Sequence, residues 1–184
     1  IYECPPNGQG ITALLMLNML EPYDLKAMGP GSPDLLHLFL EVKKLAFADA
    51  GALVADPDFL EYAPANLLSK EFAAQRAGTI DMDRAMPIPE PEIPVGDDTI
   101  YLCTIDEEGN AVSLISSVYA GFGSKRVGGE TGIIMQNRGN GFTLEPGHPN
   151  EYAAGKLPFH TIIPAMVTRN GELSDATVNA QIAG

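Results

Sequence analysis

Hydrophobic positions keep two different rhythms along this chain, and the change falls near residue 99. Residues 11–20, ITALLMLNML, are apolar on almost every side, which predicts a buried helix rather than a surface one. The glycine-rich run PPNGQG (5–10) feeds it. Glu21 followed by Pro22 ends it, because the residue before a proline avoids the α region. A second helix is predicted from Ser32, a good N-cap with Pro33 behind it at the first helical position, to about Ala50. Leu35, Leu38, Val42, Leu45 and Phe47 supply its inner face, and Gly51 suits the position just past its end. The DPDF of 56–59 reads as a turn. Ser69 caps a short helix ending near Gly78, so residues 1–81 read as mostly helical.

Residues 82–98 have no periodicity. Pro87, Pro89, Pro91 and Pro94 alternate there with Glu90 and Glu92 and stop at Asp97 and Asp98, the composition of an exposed loop. From Thr99 the pattern shortens to the strand period. TIYLCTI (99–105) and AVSLISS (111–117) read as strands joined by the turn DEEGN. TGIIMQN (131–137) reads as a further strand. HTIIPAMVT (160–168) opens a last hairpin whose Asn170-Gly171 fits a type I′ turn. Helices first and strands afterwards argue for an α+β fold rather than repeating βα units. No internal repeat is visible.

Composition narrows the function classes. The 184 residues carry a net charge of −13, and both nucleic acid and anionic membrane reward clustered Lys and Arg instead. No apolar run reaches the length of a membrane span. Cys4 and Cys103 are too few for a disulfide framework. The chain starts at Ile1 without methionine and stops at Gly184 directly after TVNAQIA, so it reads as a piece of something longer. The compartment stays open on these grounds.

The abrupt stop at Thr99 is the candidate chemistry. A threonine hydroxyl is a poor nucleophile near neutral pH unless the threonine is N-terminal and its own α-amine acts as base. That amine titrates near pH ~8. To create such a terminus inside a chain, the Asp98–Thr99 bond must be cut, and a flexible loop such as 82–98 would let the freed end swing away. Composition alone favours a plainer alternative, an interdomain linker before a strand.

The neighbouring residues change that balance. PPNGQGITALLMLNMLE, EVKKLAFADAGALVADPDF, DTIYLCTIDEEGNAVSLISS and GFGSKRVGGETGIIMQNRGNGF followed by PGHPN stand in an order and spacing that resemble the gamma-glutamyltranspeptidase family of N-terminal-nucleophile hydrolases over nearly the whole chain. The resemblance implies a four-layer αββα sandwich. It also implies that residues 1–98 are the tail of a large subunit and 99–184 the head of a small catalytic one, and that Asp98–Thr99 is cleaved by the protein itself. Thr99 then takes the role of nucleophile, forming an acyl-enzyme, and Ser117 that of a second assisting hydroxyl. No cofactor is implied; the partners are a small-molecule amide or gamma-glutamyl substrate and the remaining segments of the parent chain.

Departures from the family pattern bear on the substrate. Where family members hold a substrate ammonium with asparagine, glutamine and aspartate, the matching positions are Tyr119, Arg138 and Gly141; two carboxylate-binding serines correspond to His160 and Thr161. The negative charge suited to an ammonium is gone, and a guanidinium is a planar fork suited to a carboxylate. The resemblance thus implies an amidohydrolase or acyltransferase taking a carboxylate-bearing amide without an α-ammonium, of glutaryl or oxamate type. A true gamma-glutamyl hydrolase or transpeptidase on glutathione-like substrates is one alternative, and a non-catalytic fragment or inactive homologue is another. The family's oxyanion Gly-Gly pair and its substrate-binding arginine have no match in this sequence, so the piece by itself is not expected to turn over.

For Arg138 an ion pair with Glu130 or Glu145 stays open as an alternative, and for Tyr119 a role as pocket wall is preferred. His37 and His148 read as structural, Cys103 as a buried small hydrophobe. The histidines and cysteines show no metal-ligand spacing, and the glycines match neither a dinucleotide fingerprint nor a P-loop.

Overall fold

The computed structural model describes residues 1–87 and 98–175. Four helices build the first half: α1 (Gly10–Leu20), the single turn α2 (Leu25–Met28), the long α3 (Pro33–Leu53) and α4 (Lys70–Ala77), with 3-10 turns at Pro57–Phe59 and Pro64–Leu68. Side-chain caps start α3 and α4 where the sequence predicts. The Ser32 hydroxyl accepts from the Leu35 N–H at 3.1 Å and that of Ser69 from the Phe72 N–H at 3.2 Å, satisfying donors that a helix start leaves orphaned.

Helix α3 departs from expectation at its end. It runs through Gly51 to Leu53, and the Val54 N–H closes on the Ala50 carbonyl at 2.9 Å. Ala50 and Val54 pack with Ile11, Leu67 and Phe159, and that burial outweighs the ~1 kcal/mol a mid-helix glycine costs. Leu38, Val42, Leu45, Ala46 and Ala50 are buried against α1 and α4, while the predicted inner residues Leu35 and Phe47 are only half-buried. The apolar α1 buries Ile11, Leu15, Met19 and Leu20 yet leaves Leu17 exposed.

Glu41 sits on the inner face of α3 as a buried acid. Its carboxylate pairs with Lys44 and accepts the Met86 N–H at 2.9 Å, while Lys44 Nζ donates to the Met86 carbonyl at 2.7 Å. His37 Nε2 meets the Asp81 carbonyl at 2.9 Å. The run predicted as an exposed loop over 82–98 is therefore pinned to α3 as far as Met86; residues 88–97 lie outside the described residues, and Asp98 already belongs to the strand that follows.

Strands β1 (Asp98–Ile105) and β2 (Ala111–Tyr119) form an antiparallel hairpin with Thr99 opposite Ser117 and Cys103 opposite Ser113; the register shifts between Asp98 and Thr99. Asp106 makes the connecting turn, accepting from the N–H groups of Glu108 at 3.0 Å and Asn110 at 2.8 Å. Cys103 is half-buried rather than buried.

The strand predicted at 131–137 is absent: Ile134 makes one isolated bridge to Val127, and glycines at 128, 129 and 132 interrupt a ladder there, two of them with positive φ. The last hairpin, β3 (Val167–Arg169) and β4 (Glu172–Asp175), turns on Asn170 and Gly171 with φ of 54° and 86°, as a type I′ turn requires. Its first strand starts later than predicted. Pro164 lacks the N–H a ladder needs, and residues 160–166 instead hold two bridges, Gly8 to His160 and Tyr2 to Met166.

The observed class is the expected α+β; among the described residues the named strands form two separate two-stranded sheets. No described helix is long and apolar enough to cross a membrane. The halves meet through Phe159 in the α1–α3 cluster and through Asp56. This buried carboxylate accepts from the Leu157 N–H at 2.7 Å and from the Asp58 N–H at 3.1 Å.

Hydrogen bonds to a charged group contribute about 1.5–3 kcal/mol. Asp56→Ala is therefore expected to lower stability by about 2–3 kcal/mol in urea denaturation, with Asp56→Asn losing less; an unchanged midpoint for the alanine variant would remove Asp56 from the contacts that join the halves.

Candidate active site

The end of β2 gathers most of the singled-out residues. Tyr119 is 2 % exposed and has φ of +81°, a region that costs a non-glycine residue about 1–3 kcal/mol and persists only when its surroundings enforce it. The Ser117 hydroxyl accepts the Tyr119 N–H at 2.9 Å. Ser117 itself lies opposite Thr99 in the backbone register.

Beyond β2 the chain loops out and returns at Asn137. The Asn137 N–H donates to the Val118 carbonyl at 3.2 Å. Its side-chain amide grips both polar groups of Ala120, accepting from the N–H at 3.1 Å and donating to the carbonyl at 3.2 Å. The next residue, Arg138, opens a short 3-10 turn (Arg138–Gly141). It is 5 % exposed, its guanidinium lies 4.0 Å from the centre of the Tyr119 ring, and Nη1 donates to the Thr161 hydroxyl at 2.9 Å. Among the described residues it forms no ion pair, and Glu130 and Glu145 are exposed to solvent. The ion-pair alternative with those two acids is thus set aside.

His160 approaches from the other side. Its N–H donates to the Asn7 carbonyl at 2.9 Å, and its Nδ1 faces the Ile162 N–H at 3.4 Å. Burial, and then the Arg138 charge, push its pKa down to about 4, so the ring is neutral at pH 7. Burial lowers Arg138 to about 10, which leaves it charged. The Tyr119 phenol is raised by burial, against the pull of Arg138.

Gly141 serves a close approach. A Cβ there would stand 2.9 Å from the Phe159 carbonyl. Asn150, buried in the PGHPN loop, donates to the Gly141 carbonyl at 2.6 Å and accepts the Phe159 N–H at 3.1 Å, tying the Arg138 turn to the His160–Thr161 segment. Asn137 and Asn150 were not singled out from the sequence. The available signal was an asparagine in glycine-rich surroundings with no helix to cap.

Tyr119, Arg138, His160 and Thr161 therefore come together, Gly141 lines the seam beside them, and the backbone register sets Ser117 across from Thr99. No cluster of three potential metal ligands occurs among the described residues. A buried guanidinium with ring and hydroxyl contacts and no ion pair among the described residues is suited to an anionic guest.

The model of the family described as gamma-glutamyltranspeptidase matches residues 1–178. The chain belongs to that family. It is 44% identical over 172 residues to the glutathione hydrolase-like YwrD proenzyme of Bacillus subtilis (strain 168), covering 94% of this chain and 32% of that protein. It is 36% identical over 170 residues to the oxamate amidohydrolase proenzyme of Klebsiella pneumoniae, covering 92% and 31%. Among solved structures it is similar to the cephalosporin acylase of Bacillus halodurans, with a TM-score of 0.82, 41% identity, and coverage of 93% of this chain and 30% of that one. The chain thus spans about a third of the length of its relatives, and it reproduces the acylase fold over that third.

The His160 shift carries a sign. Its folded pKa of about 4 lies below the ordinary 6.5, so the unfolded chain binds the proton more readily. The neutral ring's full contribution holds above pH ~6.5 and is lost as pH falls toward 4, by no more than about 3 kcal/mol. Urea midpoints measured at pH 7 and 4.5 are expected to differ less for His160→Gln than for the parent; an equal slope would show that His160 is not the group responsible.

Proposed function

We propose that the protein containing this chain is an N-terminal-nucleophile amide hydrolase or acyltransferase. It cleaves its own Asp98–Thr99 bond and takes an acyl group that ends in a carboxylate. The observation that carries the substrate side is Arg138: buried, charged, stacked on Tyr119 and without a described carboxylate partner. Supporting it are relatives whose names include an oxamate amidohydrolase and a cephalosporin acylase.

In processing, the Thr99 hydroxyl attacks the Asp98 carbonyl, and the C–N bond gives way to an ester on Thr99. Water hydrolyses that ester, leaving a carboxylate at Asp98 and a free α-amine on Thr99. In turnover, the same hydroxyl attacks the substrate amide while the amine takes its proton. The proton passes to the leaving amine, and water or a second amine then releases the acyl group. Ser117, across the ladder from Thr99, is the assisting hydroxyl of this scheme. Arg138, with Thr161 holding one of its nitrogens, receives the far carboxylate in a charge-assisted fork. The neutral His160 adds no second positive charge, and the Tyr119 ring walls the pocket. Donors for the oxyanion come from outside these residues.

Gamma-glutamyl substrates remain the second reading, favoured by the 44% identity to a glutathione hydrolase-like protein.

Intact mass of the complete proenzyme is expected to show two species split between residues 98 and 99, and Thr99→Ala one uncut, inactive species; hydrolysis surviving in that variant would end the nucleophile assignment. Removing one partner of a buried charge contact costs about 2 kcal/mol or more. Arg138→Met should therefore raise KM for a glutaryl or oxamate substrate at least ~30-fold. Better cleavage of a gamma-glutamyl anilide than of either by the parent enzyme would favour the second reading.

A further inference from the structure

We infer that Asn137 is a positioning residue that holds the carboxylate-reading pair Tyr119 and Arg138 in register with the strand end bearing Ser117. The inference rests on the substrate reading above for its kinetic consequence, but its structural content stands separately.

Strand β2 ends at Tyr119, and the backbone there adopts a left-handed conformation that a tyrosine does not choose by itself. Something must hold the residues on either side. The Ser117 hydroxyl holds the N–H of Tyr119. Asn137 holds the neighbours: Val118 through its own N–H, and both the N–H and the carbonyl of Ala120 through its side chain. A side-chain amide has one acceptor and one donor end, so it can satisfy both backbone groups of a single residue, as a neighbouring strand would. No strand follows here, because 120–136 loops away, and Asn137 supplies the missing ladder partner.

Arg138 is the next residue in the chain. The bonds that fix Tyr119 from below thus also fix where the guanidinium begins, and its 4.0 Å stacking distance from the ring depends on both. Asp keeps the volume of Asn but sets a carboxylate oxygen against the Ala120 carbonyl. Ala removes both bonds. Loss of packing alone would spare the Asp variant.

The experiment uses the complete mature enzyme and reads two quantities. The first is KM and kcat for a glutaryl or oxamate substrate in Asn137→Ala, Asn137→Asp, Arg138→Met and the Asn137→Ala/Arg138→Met double variant. Both Asn137 variants are expected to raise KM about tenfold with a smaller change in kcat. The double variant should be no worse than Arg138→Met, because the two residues act as one unit. The second is the His160 titration followed by NMR, which reads the Arg138 charge without turnover. In Asn137→Ala it should move upward by the smaller part that the Arg138 charge contributes, the larger part from burial remaining.

Additive KM effects, or an Asp variant behaving like the parent, would overturn the inference. So would an unmoved His160 titration in a folded Asn137→Ala. If Arg138→Met leaves KM unchanged, the substrate reading falls while the His160 titration still decides the role of Asn137.

Discussion

A positive charge taken out of water has to be met by something. Arg138 loses nearly all contact with solvent and gains an aromatic face and one hydroxyl oxygen. A cation–π contact in a desolvated setting contributes about 2 kcal/mol and a hydrogen bond from a charged donor about 1.5–3 kcal/mol, against an effective penalty of several kcal/mol for burying an ion. In the function proposed above, the carboxylate of the substrate would add to these two contacts. His160 feels the same charge and stays neutral. Burial and one guanidinium, held by two segments of the chain, thus set the charge state of these neighbours.

Those segments are irregular, so regular ladders cannot hold them. Polar side chains that grip backbone do so instead. Asp56 takes the N–H of Leu157, Asn150 joins Gly141 to Phe159, Asn137 closes on Ala120, and Asn7 reaches the Pro158 carbonyl. Each replaces a strand partner at a place where glycine or proline breaks the period. The helical layer behind them is built differently. It relies on close-packed Leu38, Val42 and Met19, with Glu41 and Lys44 pinning the chain at Met86 as it leaves. Phe159 belongs to both systems, inserted among Ile11, Ala50 and Val54 while its N–H is held by Asn150.

This division explains what could be read from the sequence. Periodic elements were legible. Ser32 and Ser69 cap their helices, and the hairpins at 99–117 and Asn170-Gly171 fold where alternation and turn chemistry place them. Errors fell where tertiary contact overrode local preference. Gly51 is carried inside a helix by the burial of Ala50 and Val54, and the apolar run at 131–137 is denied a ladder by its glycines. In the site, position by position resemblance singled out Tyr119, Arg138, His160 and Thr161, and the fold sets them side by side. Asn137 and Asn150 escaped because their role is to bond backbone groups distant in sequence, and such pairing leaves no periodic trace.

The ladder of β1 and β2 is regular from Ile105 back to Thr99 and then slips by one residue, so that Asp98 pairs with Tyr119 rather than with its neighbour. Irregularities of this kind bend a strand and re-aim the residues beyond the bend, and they gather at sheet edges and beside active sites. Here the slip falls on the peptide bond proposed to break. It also falls across from the residue with the strained backbone and next to the buried guanidinium. The irregular end of the sheet thus coincides with the seating of Tyr119 against Arg138 and, in the function proposed above, with the bond that is cut.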